Sequence, residues 1–459
     1  MLEKNKIYRT EICDVNNLGN GITKIDGIAV FVKGGVTGDI ADVKIIKTAK
    51  SYAVGIIDRL ISASPFRCEN DCPVYKRCGG CVSRHIDYAY ELELKRGYVI
   101  GALRRAGLDN ITVHQTQSAG TYERYRNKAQ YPVGKDKKTG KVKIGFYAGH
   151  THEIADIDDC RLAPVVFTDI VAAVREFIEE NNVSVYDEQA GTGCVRNIYL
   201  RHGEASGDIM LCLVIGTDRL EKEEKFCSFI KEKCPSVTGI LLNINKKNTN
   251  VILSDDYRLL WGKDYITDTL CDRDFRISKS AFYQVNRSAA QLLYKTAGML
   301  ADLQPGDILV DLYSGVGTVG MSIADECTEL YGVEIIPEAI ENAKLNAVLN
   351  GFESASFLAA DAADFDSFIE KRGQGHGKGK LVVVVDPPRK GLSASVIRDI
   401  AKNEPEKVVY ISCNPDTLAR DIVEFGKYGY STSELFPFDL FPRTGHVECC
   451  VLLCRNHKS

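Results

Sequence analysis

Ile308-Leu309-Val310-Asp311-Leu312-Tyr313-Ser314-Gly315-Val316-Gly317-Thr318 reads as a buried strand that turns through a glycine loop into a helix. Glycine at two of the turn positions permits the tight bend and lets the backbone approach a ligand closely. A Gly-x-Gly turn is weak by itself, so its surroundings decide the reading. The next apolar run, Leu330-Tyr331-Gly332-Val333-Glu334, ends in an acid of the kind that holds ribose hydroxyls in nucleotide-binding α/β folds. A third strand is expected to end near Asp361, after Phe357-Leu358-Ala359-Ala360, and a fourth, Leu381-Val382-Val383-Val384-Val385, delivers Asp386 to the carboxyl edge. From Gly306 onward short buried strands alternate with helices, which predicts a doubly wound parallel sheet.

Glycine turns of this kind serve dinucleotide enzymes too. The Asp-Leu-Tyr-Ser-Gly-Val-Gly form, followed by Asp386-Pro387-Pro388-Arg389, favours an S-adenosylmethionine donor and an α/β Rossmann-like class I methyltransferase fold. Amino-methyltransferases often place an aromatic after such a Pro-Pro pair to stack their base; Arg389 stands there instead and argues against exocyclic nitrogen as the target. Downstream, Val408-Val409-Tyr410-Ile411-Ser412-Cys413-Asn414-Pro415 is an apolar strand that presents a thiol where it hands over to an Asn-Pro turn. A pyrimidine C5 is too weak a nucleophile for a sulfonium methyl, and thiolate addition at C6 makes it enolate-like. Cysteine is also among the most buried residue types, and Cys449, Cys450 and Cys454, in an apolar terminal strand, read as packing. Cys413 differs from them by its place at the carboxyl end of a strand.

A chain of 459 residues predicts two or three domains. The formal charge of −4 does not mark a nucleic-acid binder, but Lys95 to His150 carries 12 Lys/Arg against 3 Asp/Glu. That segment is a candidate phosphate-facing surface, with Arg124-Tyr125-Arg126-Asn127-Lys128 as the leading patch; Arg196-Asn197 and Arg201-His202, outside it, form a second. No apolar run reaches membrane-spanning length and the amino terminus lacks a secretory pattern, which predicts a cytoplasmic protein without a membrane partner. In a reducing compartment its 16 cysteines are metal ligands, catalysts or core rather than disulfides.

Between Ile7 and Ile61, short apolar stretches alternate with glycine turns, as a small β-barrel would. Then comes Cys72-x5-Cys78-Gly79-Gly80-Cys81, with Cys68 nearby; three close thiols suit a [4Fe–4S] cluster or zinc. Tyr88, Leu92, Val99, Leu103 and Ala106 recur at helical spacing up to a Gly107 stop. Residues 122–261 read as mixed α and β, with strands at Asn197-Ile198-Tyr199-Leu200 and Ile209 to Ile215. Gly373 to Lys380 reads as a flexible surface loop.

Four motifs together carry a resemblance over nearly the whole chain: Cys72-x5-Cys78-Gly79-Gly80-Cys81, Phe282-Tyr283-Gln284-Val285-Asn286, Ser412-Cys413-Asn414-Pro415 and Gly445-His446-Val447-Glu448-Cys449. In this order the sequence resembles the RNA uracil-5 methyltransferases, in particular the iron–sulfur branch that carries a TRAM domain and modifies 23S ribosomal RNA. The resemblance implies Cys413 as the nucleophile at C6 and Glu448 as the acceptor of the C5 proton. It implies Gln284, Tyr313, Glu334 and Asp386 as contacts of S-adenosylmethionine, with Phe282 and Asn286 supporting the cleft. It adds Cys160 to Cys72, Cys78 and Cys81 as the ligands of a [4Fe–4S] cluster.

The expected architecture is an OB-like TRAM barrel over residues 1–62, a central α+β iron–sulfur and RNA-binding domain over 63–262, and a methyltransferase domain over 263–459. The family further implies that 85–117 packs on the catalytic domain. The expected activity is methylation of uridine C5 in 23S rRNA, with no obligate protein partner. Transfer RNA uracil-5 methylation, RNA cytosine-5 methylation and a non-catalytic RNA-binding or redox-sensing scaffold are the alternatives. Cytosine-5 enzymes usually carry a cysteine in the Pro-Pro motif, where this chain has Asp386-Pro387-Pro388-Arg389.

Overall fold

A computed structural model describes every residue except 1, 150, 326–328, 365–378 and 457–459. Most of the Gly373–Lys380 stretch therefore lies outside the described residues. The amino-terminal part is a six-stranded sheet in the order Ile7–Glu11, Ile40–Thr48, Tyr52–Ser62, Ile28–Lys33, Asn20–Ile25, Asp14–Val15. Alternating residues of these strands, among them Val30, Val32, Val43 and Ile45, are 0% exposed and form their own small core with Ile12 and Ala53.

A second sheet of seven strands spans Lys128–Lys135 to Tyr257–Gly262, with Val195–His202 and Ile209–Ile215 at its centre. Every residue of Ile209–Ile215 is buried, because the strand is covered on both faces: helices Val165–Glu180 and Glu223–Lys233 lie over one, and Cys212 and Met210 join the core of the carboxy-terminal unit on the other. The hairpin Tyr265–Leu270/Arg273–Ser278 and helix Arg287–Ala301 bridge to the third unit.

That unit is a sheet ordered Ser356–Ala359, Glu329–Glu334, Ile308–Leu312, Leu381–Val385, Lys407–Ser412, Glu448–Arg455, Glu434–Phe438, Thr112–Val113. The first five strands run parallel, and Glu448–Arg455 runs antiparallel between Lys407–Ser412 and Glu434–Phe438. The Val382–Val385 run is at most 1% exposed, as a central parallel strand demands.

Helix Tyr88–Arg105 stops at Ala106 with Gly107 at φ 76° and packs on helix Pro415–Gly426, while Thr112–Val113 extends the catalytic sheet by pairing with Glu434 and Leu435. A segment early in the chain thus sits among the late elements. Buried charge holds it: Lys95 Nζ, 1% exposed, reaches Asp439 Oδ1 at 2.7 Å and Glu91 Oε1 at 2.9 Å. Among the described residues no helix is long and apolar enough to cross a membrane.

Candidate active site

The glycine loop is built on strain at one residue and freedom at two. Tyr313 takes φ 70°, a left-handed conformation that bulky residues avoid, while Gly315 and Gly317 take φ 55° and 84°. The Tyr313 and Ser314 N–H groups hold the turn by donating to the Val333 carbonyl at 2.9 and 3.0 Å. Asp311 Oδ2 accepts from the Gly320 N–H at 2.8 Å, and burial pushes this carboxyl up to about 8. Its other oxygen and the Ser314 hydroxyl are buried without partners.

Glu334 ends the neighbouring strand and accepts the Gly315 N–H at 3.1 Å on one oxygen and the Ile336 N–H at 3.0 Å on the other. Each oxygen keeps a lone pair for a further donor such as a ribose hydroxyl. Gln284 is 6% exposed, and the buried Tyr294 hydroxyl interacts with both its side chain and that of Thr318, at the start of the glycine-loop helix. Asn127 Nδ2 donates to the Gln284 carbonyl at 2.8 Å, and Asn286 caps helix Arg287–Ala301. Gln284, Tyr313 and Glu334 therefore gather around one loop. Asp361 is exposed, just beyond strand Ser356–Ala359.

Cys413 and Glu448 come together through register. Ser412 pairs with Cys449 across antiparallel strands, so the residues one step beyond, Cys413 and Glu448, are opposite one another at the carboxyl edge of the parallel sheet. Asp386 ends the adjacent strand at the same edge. Burial, with Glu448 and Asp386 close by, pushes the Cys413 thiol up to about 11, against the pull of Arg389. Glu448 is 4% exposed, and burial with Asp386 nearby raises its carboxyl to about 8; burial raises Asp386 to about 7. Three acidic groups thus crowd an edge with one nearby cation, and each resists ionising until positive charge enters.

A cleft of about 580 Å³ opens over Cys413. Its walls are Asp14 to Asn17 of the amino-terminal sheet, Tyr98 and Arg105 of helix Tyr88–Arg105, and Arg389, His446 and Val447. Arg389 Nη2 lies 3.3 Å from His446 Nε2, and Arg105 pairs with Asp416 at 2.7 Å. The sequence reading did not place Asn16, Asn17 or Tyr98 here; a run of turn-forming residues announces a loop but not what it faces.

The leading patch of the expected basic surface is largely committed within the protein, while Arg104, Arg105, Lys135, Lys137, Lys138 and Lys141 of the same run are exposed. Arg124 is committed to Asp159 at 2.6 Å, Tyr125 and Asn127 are buried, and Arg201, 2% exposed, donates to the Ser278 and Ala281 carbonyls at 2.6 and 2.7 Å. Arg196 lies over the Tyr186 ring and donates to the Lys247 carbonyl. A count of charge along a chain carries no direction, and these guanidiniums were needed to satisfy buried carbonyls. Lys128 is the exception, with its ammonium near the exposed ring of Phe282.

Cys72, Cys78, Cys81 and Cys160 line one cavity of about 110 Å³ with Tyr75, Arg84 and Arg126. Burial and the neighbouring Cys160 thiol push Cys81 up to about 12, and burial raises Cys78 and Cys160. Arg126 Nε is buried there without a partner. Cys68 lies outside the cavity and donates to the Arg84 carbonyl at 3.4 Å. Among the described residues no group of three or more His, Cys, Asp or Glu side chains is arranged to hold a metal ion. Four thiols around one cavity, with the unpartnered Nε of Arg126 beside them, have the donor chemistry of an anionic, thiolate-ligated group. Cys449 and Cys450 are fully buried packing residues, whereas Cys454 is exposed.

Residues 240–456 match the tRNA (Uracil-5-)-methyltransferase family and residues 2–57 the TRAM domain. Similar proteins include uncharacterized RNA methyltransferases of Clostridium acetobutylicum, 40% identical over 100% of this chain and 99% of the relative, and of Bacillus cereus, 37% identical over 100% and 98%. Among solved structures, the Pyrococcus abyssi tRNA (uracil-54, C5)-methyltransferase in complex with S-adenosyl-L-homocysteine superposes with a TM-score of 0.78 at 27% identity, covering 97% of this chain and 99% of that one.

Proposed function

Because the chain belongs to the family of S-adenosylmethionine-dependent RNA uracil-5 methyltransferases, we propose that it methylates C5 of a specific uridine in 23S ribosomal RNA, in the cytoplasm, with Cys413 as nucleophile and Glu448 as proton acceptor. The observation that carries the reading is the cross-strand register that brings Cys413 and Glu448 to one edge beside Asp386.

The Cys413 thiolate bonds to C6, and the C5–C6 π pair moves out as an enolate. C5 then takes the methyl group from the sulfonium, whose S–CH3 bond breaks to leave a neutral thioether. Glu448 removes the C5 proton, the C6–S bond breaks, and the thiolate is regenerated. Gln284, Tyr313, Glu334 and Asp386 hold the donor, Glu334 through its free lone pairs and Tyr313 through the strained turn it occupies. The target base leaves its stack to reach the cleft.

Cys72, Cys78, Cys81 and Cys160 would hold a [4Fe–4S] cluster, which when bound would tie the 72–81 loop to the Cys160 turn.

The likeness to the Pyrococcus tRNA enzyme over 97% of this chain favours a second reading, transfer RNA as substrate, because the barrel and the cysteine loop fall within the matched length. Nucleotide mapping of unmodified 23S rRNA and tRNA after incubation with labelled S-adenosylmethionine separates the two. Label at uridine C5 of 23S rRNA, absent with Cys413→Ala, is expected; label in tRNA alone selects the second reading, and label on cytidine overturns both.

A further inference from the structure

Glu448 has no hydrogen-bonding side chain of its own to orient it among the described residues, so beyond its backbone pairing opposite Phe438 its position depends on the segment that leads into it. That segment, Asp439 to Gly445, receives bonds from distant parts of the chain. Tyr125 Oη donates to the Pro442 carbonyl at 2.9 Å, Asn286 Nδ2 to the Leu440 carbonyl at 3.2 Å and Lys95 Nζ to the Phe441 carbonyl at 3.1 Å. The Arg443 N–H donates to Glu91 Oε1 at 2.7 Å, and its guanidinium donates to the Ile86 carbonyl at 2.8 Å while lying over the Tyr122 ring. Arg443 holds φ 68°, a left-handed conformation that residues of this size rarely adopt.

Two contacts come from the amino-terminal units. The Val82 N–H, next to Cys81, donates to the Arg443 carbonyl at 2.9 Å. The turn Asn16–Gly19, locked by Asn16 Oδ1 accepting from the Leu18 and Asn20 N–H groups at 3.0 Å, presses on both sides of that bond. A Cβ on Gly19 would lie 2.1 Å from the Val82 carbonyl oxygen, and a Cβ on Gly445 only 1.6 Å from the Asn17 carbonyl oxygen. Neither backbone leaves room for a methyl group.

We propose that Arg443–Gly445 is a keystone through which the TRAM turn Asn16–Gly19 and the cysteine loop at Val82 fix Glu448 opposite Cys413, which makes Gly19 and Val82 positioning residues for proton abstraction. The amino-terminal sheet is then part of the active-site frame, beyond any contact it makes with RNA. This rests on the roles given to Cys413 and Glu448 above.

The test compares Gly19→Ala with Gly27→Ala in the full-length protein. Gly27 holds a similar φ of 78° but has nothing within 4 Å of a built Cβ, so it carries the same backbone strain without the push on Val82. With unmodified RNA and labelled donor, the readouts are kcat, KM for RNA and the amount of denaturant-stable protein–RNA adduct. A displaced Glu448 slows elimination after methyl transfer. Gly19→Ala is therefore expected to lower kcat at least tenfold, leave KM within twofold and accumulate methylated adduct, while Gly27→Ala keeps the wild-type partition. Equal partition in the two variants, or a Gly19→Ala defect confined to KM, overturns the proposal. Should Gly19→Ala not fold, Asn16→Ala carries the same test, because it removes the oxygen that accepts the Leu18 and Asn20 N–H groups at 3.0 Å and so loosens the turn that meets Val82 and Gly445. Asn16→Ala that partitions like the wild type equally overturns it. Absence of methyluridine with the wild-type protein would instead refute the proposed function itself.

Discussion

The Lys128 ammonium stands 6.0 Å from the centroid of the Phe282 ring, which is 64% exposed, two residues before Gln284. Burial, with Arg201 and Arg126 close by, lowers this lysine to about 8, so its charge is present at neutral pH and lost as pH rises through about 8. On the proposed function, an RNA phosphate beside Phe282 would be its partner. Affinity for RNA is expected to fall between pH 7 and 9, and Lys128→Arg, which stays charged, is expected to lose that part of the decline. Lys128→Met should reduce the salt slope of binding by about 0.7–0.9, the contribution of one phosphate contact. Fluorescence anisotropy with a uridine-containing RNA across pH and salt measures both; an unchanged pH profile in Lys128→Arg removes Lys128 from the interface.

Cys413 is a thiol at neutral pH because burial and two neighbouring carboxyls oppose the thiolate. A sulfonium brings positive charge into the site, which favours ionisation. Alkylation of Cys413, followed by peptide mass mapping, should speed up with S-adenosylmethionine and show a lower apparent pKa, but not with S-adenosylhomocysteine, which lacks the sulfonium charge. Identical profiles with the two ligands would mean that the thiol is activated by RNA alone.

Glu448 is raised to about 8, so the carboxylate that accepts a proton gains population as pH climbs. The decay of preformed methylated adduct should accelerate with pH up to about 8 and then level. Glu448→Gln should slow that decay by about 10²–10⁴, the usual contribution of a general base, with adduct still forming. A Glu448→Gln variant that turns over at the wild-type rate would assign the proton to another acceptor.

Protein purified without oxygen should carry about four iron and four sulfide per chain, and Cys160→Ala should lose both along with the visible absorbance. Arg126, buried against the cavity with an unpartnered Nε, offsets the charge of such a group, so Arg126→Met should hold less iron. Metal analysis that finds zinc alone would replace the cluster.

The Lys95–Asp439–Glu91 group is nearly without solvent contact. Removing one partner strands a buried charge, so Asp439→Ala should cost about 3–5 kcal/mol in a denaturant titration. The doubly substituted Lys95→Met/Asp439→Leu chain should recover much of that loss while Glu91 keeps its bonds to Arg443. A loss below 1 kcal/mol in the single variant would mean that water reaches the pair.

Much of the catalytic half could be read in one dimension, since its signals are local. The strand, glycine loop and acid of Ile308 to Glu334 lie within one supersecondary unit, and Cys413 and Asp386 each close an apolar run at the edge where ligands gather. The Cys413–Glu448 pairing was not local: only the insertion of Glu448–Arg455 beside Lys407–Ser412 creates it, and the motif resemblance stood in for that register. The basic patches misled in part because buried Arg201 and half-buried Arg124 answer to carbonyls and carboxylates elsewhere in the chain. The turn at Asn16–Gly19 gave no sign that it reaches Val82 and Gly445, because close approach of two backbones leaves nothing in the side chains to read.

Strand Glu448–Arg455 follows every other described strand of its sheet in the sequence, yet it lies between two of them. Its outer neighbour Glu434–Phe438 is in turn closed off by Thr112–Val113, from the far side of the central unit. The pairing of Thr112 with Glu434 spans a long stretch of chain, which slows its formation. Glu448 can reach Cys413 only when strand Glu448–Arg455 is in place, so on the proposed mechanism a chain lacking that strand would have a donor fold but no means of releasing its substrate. On the same mechanism, turnover would be a property of the finished fold, and a chain short of that one strand would trap the RNA it is meant to modify.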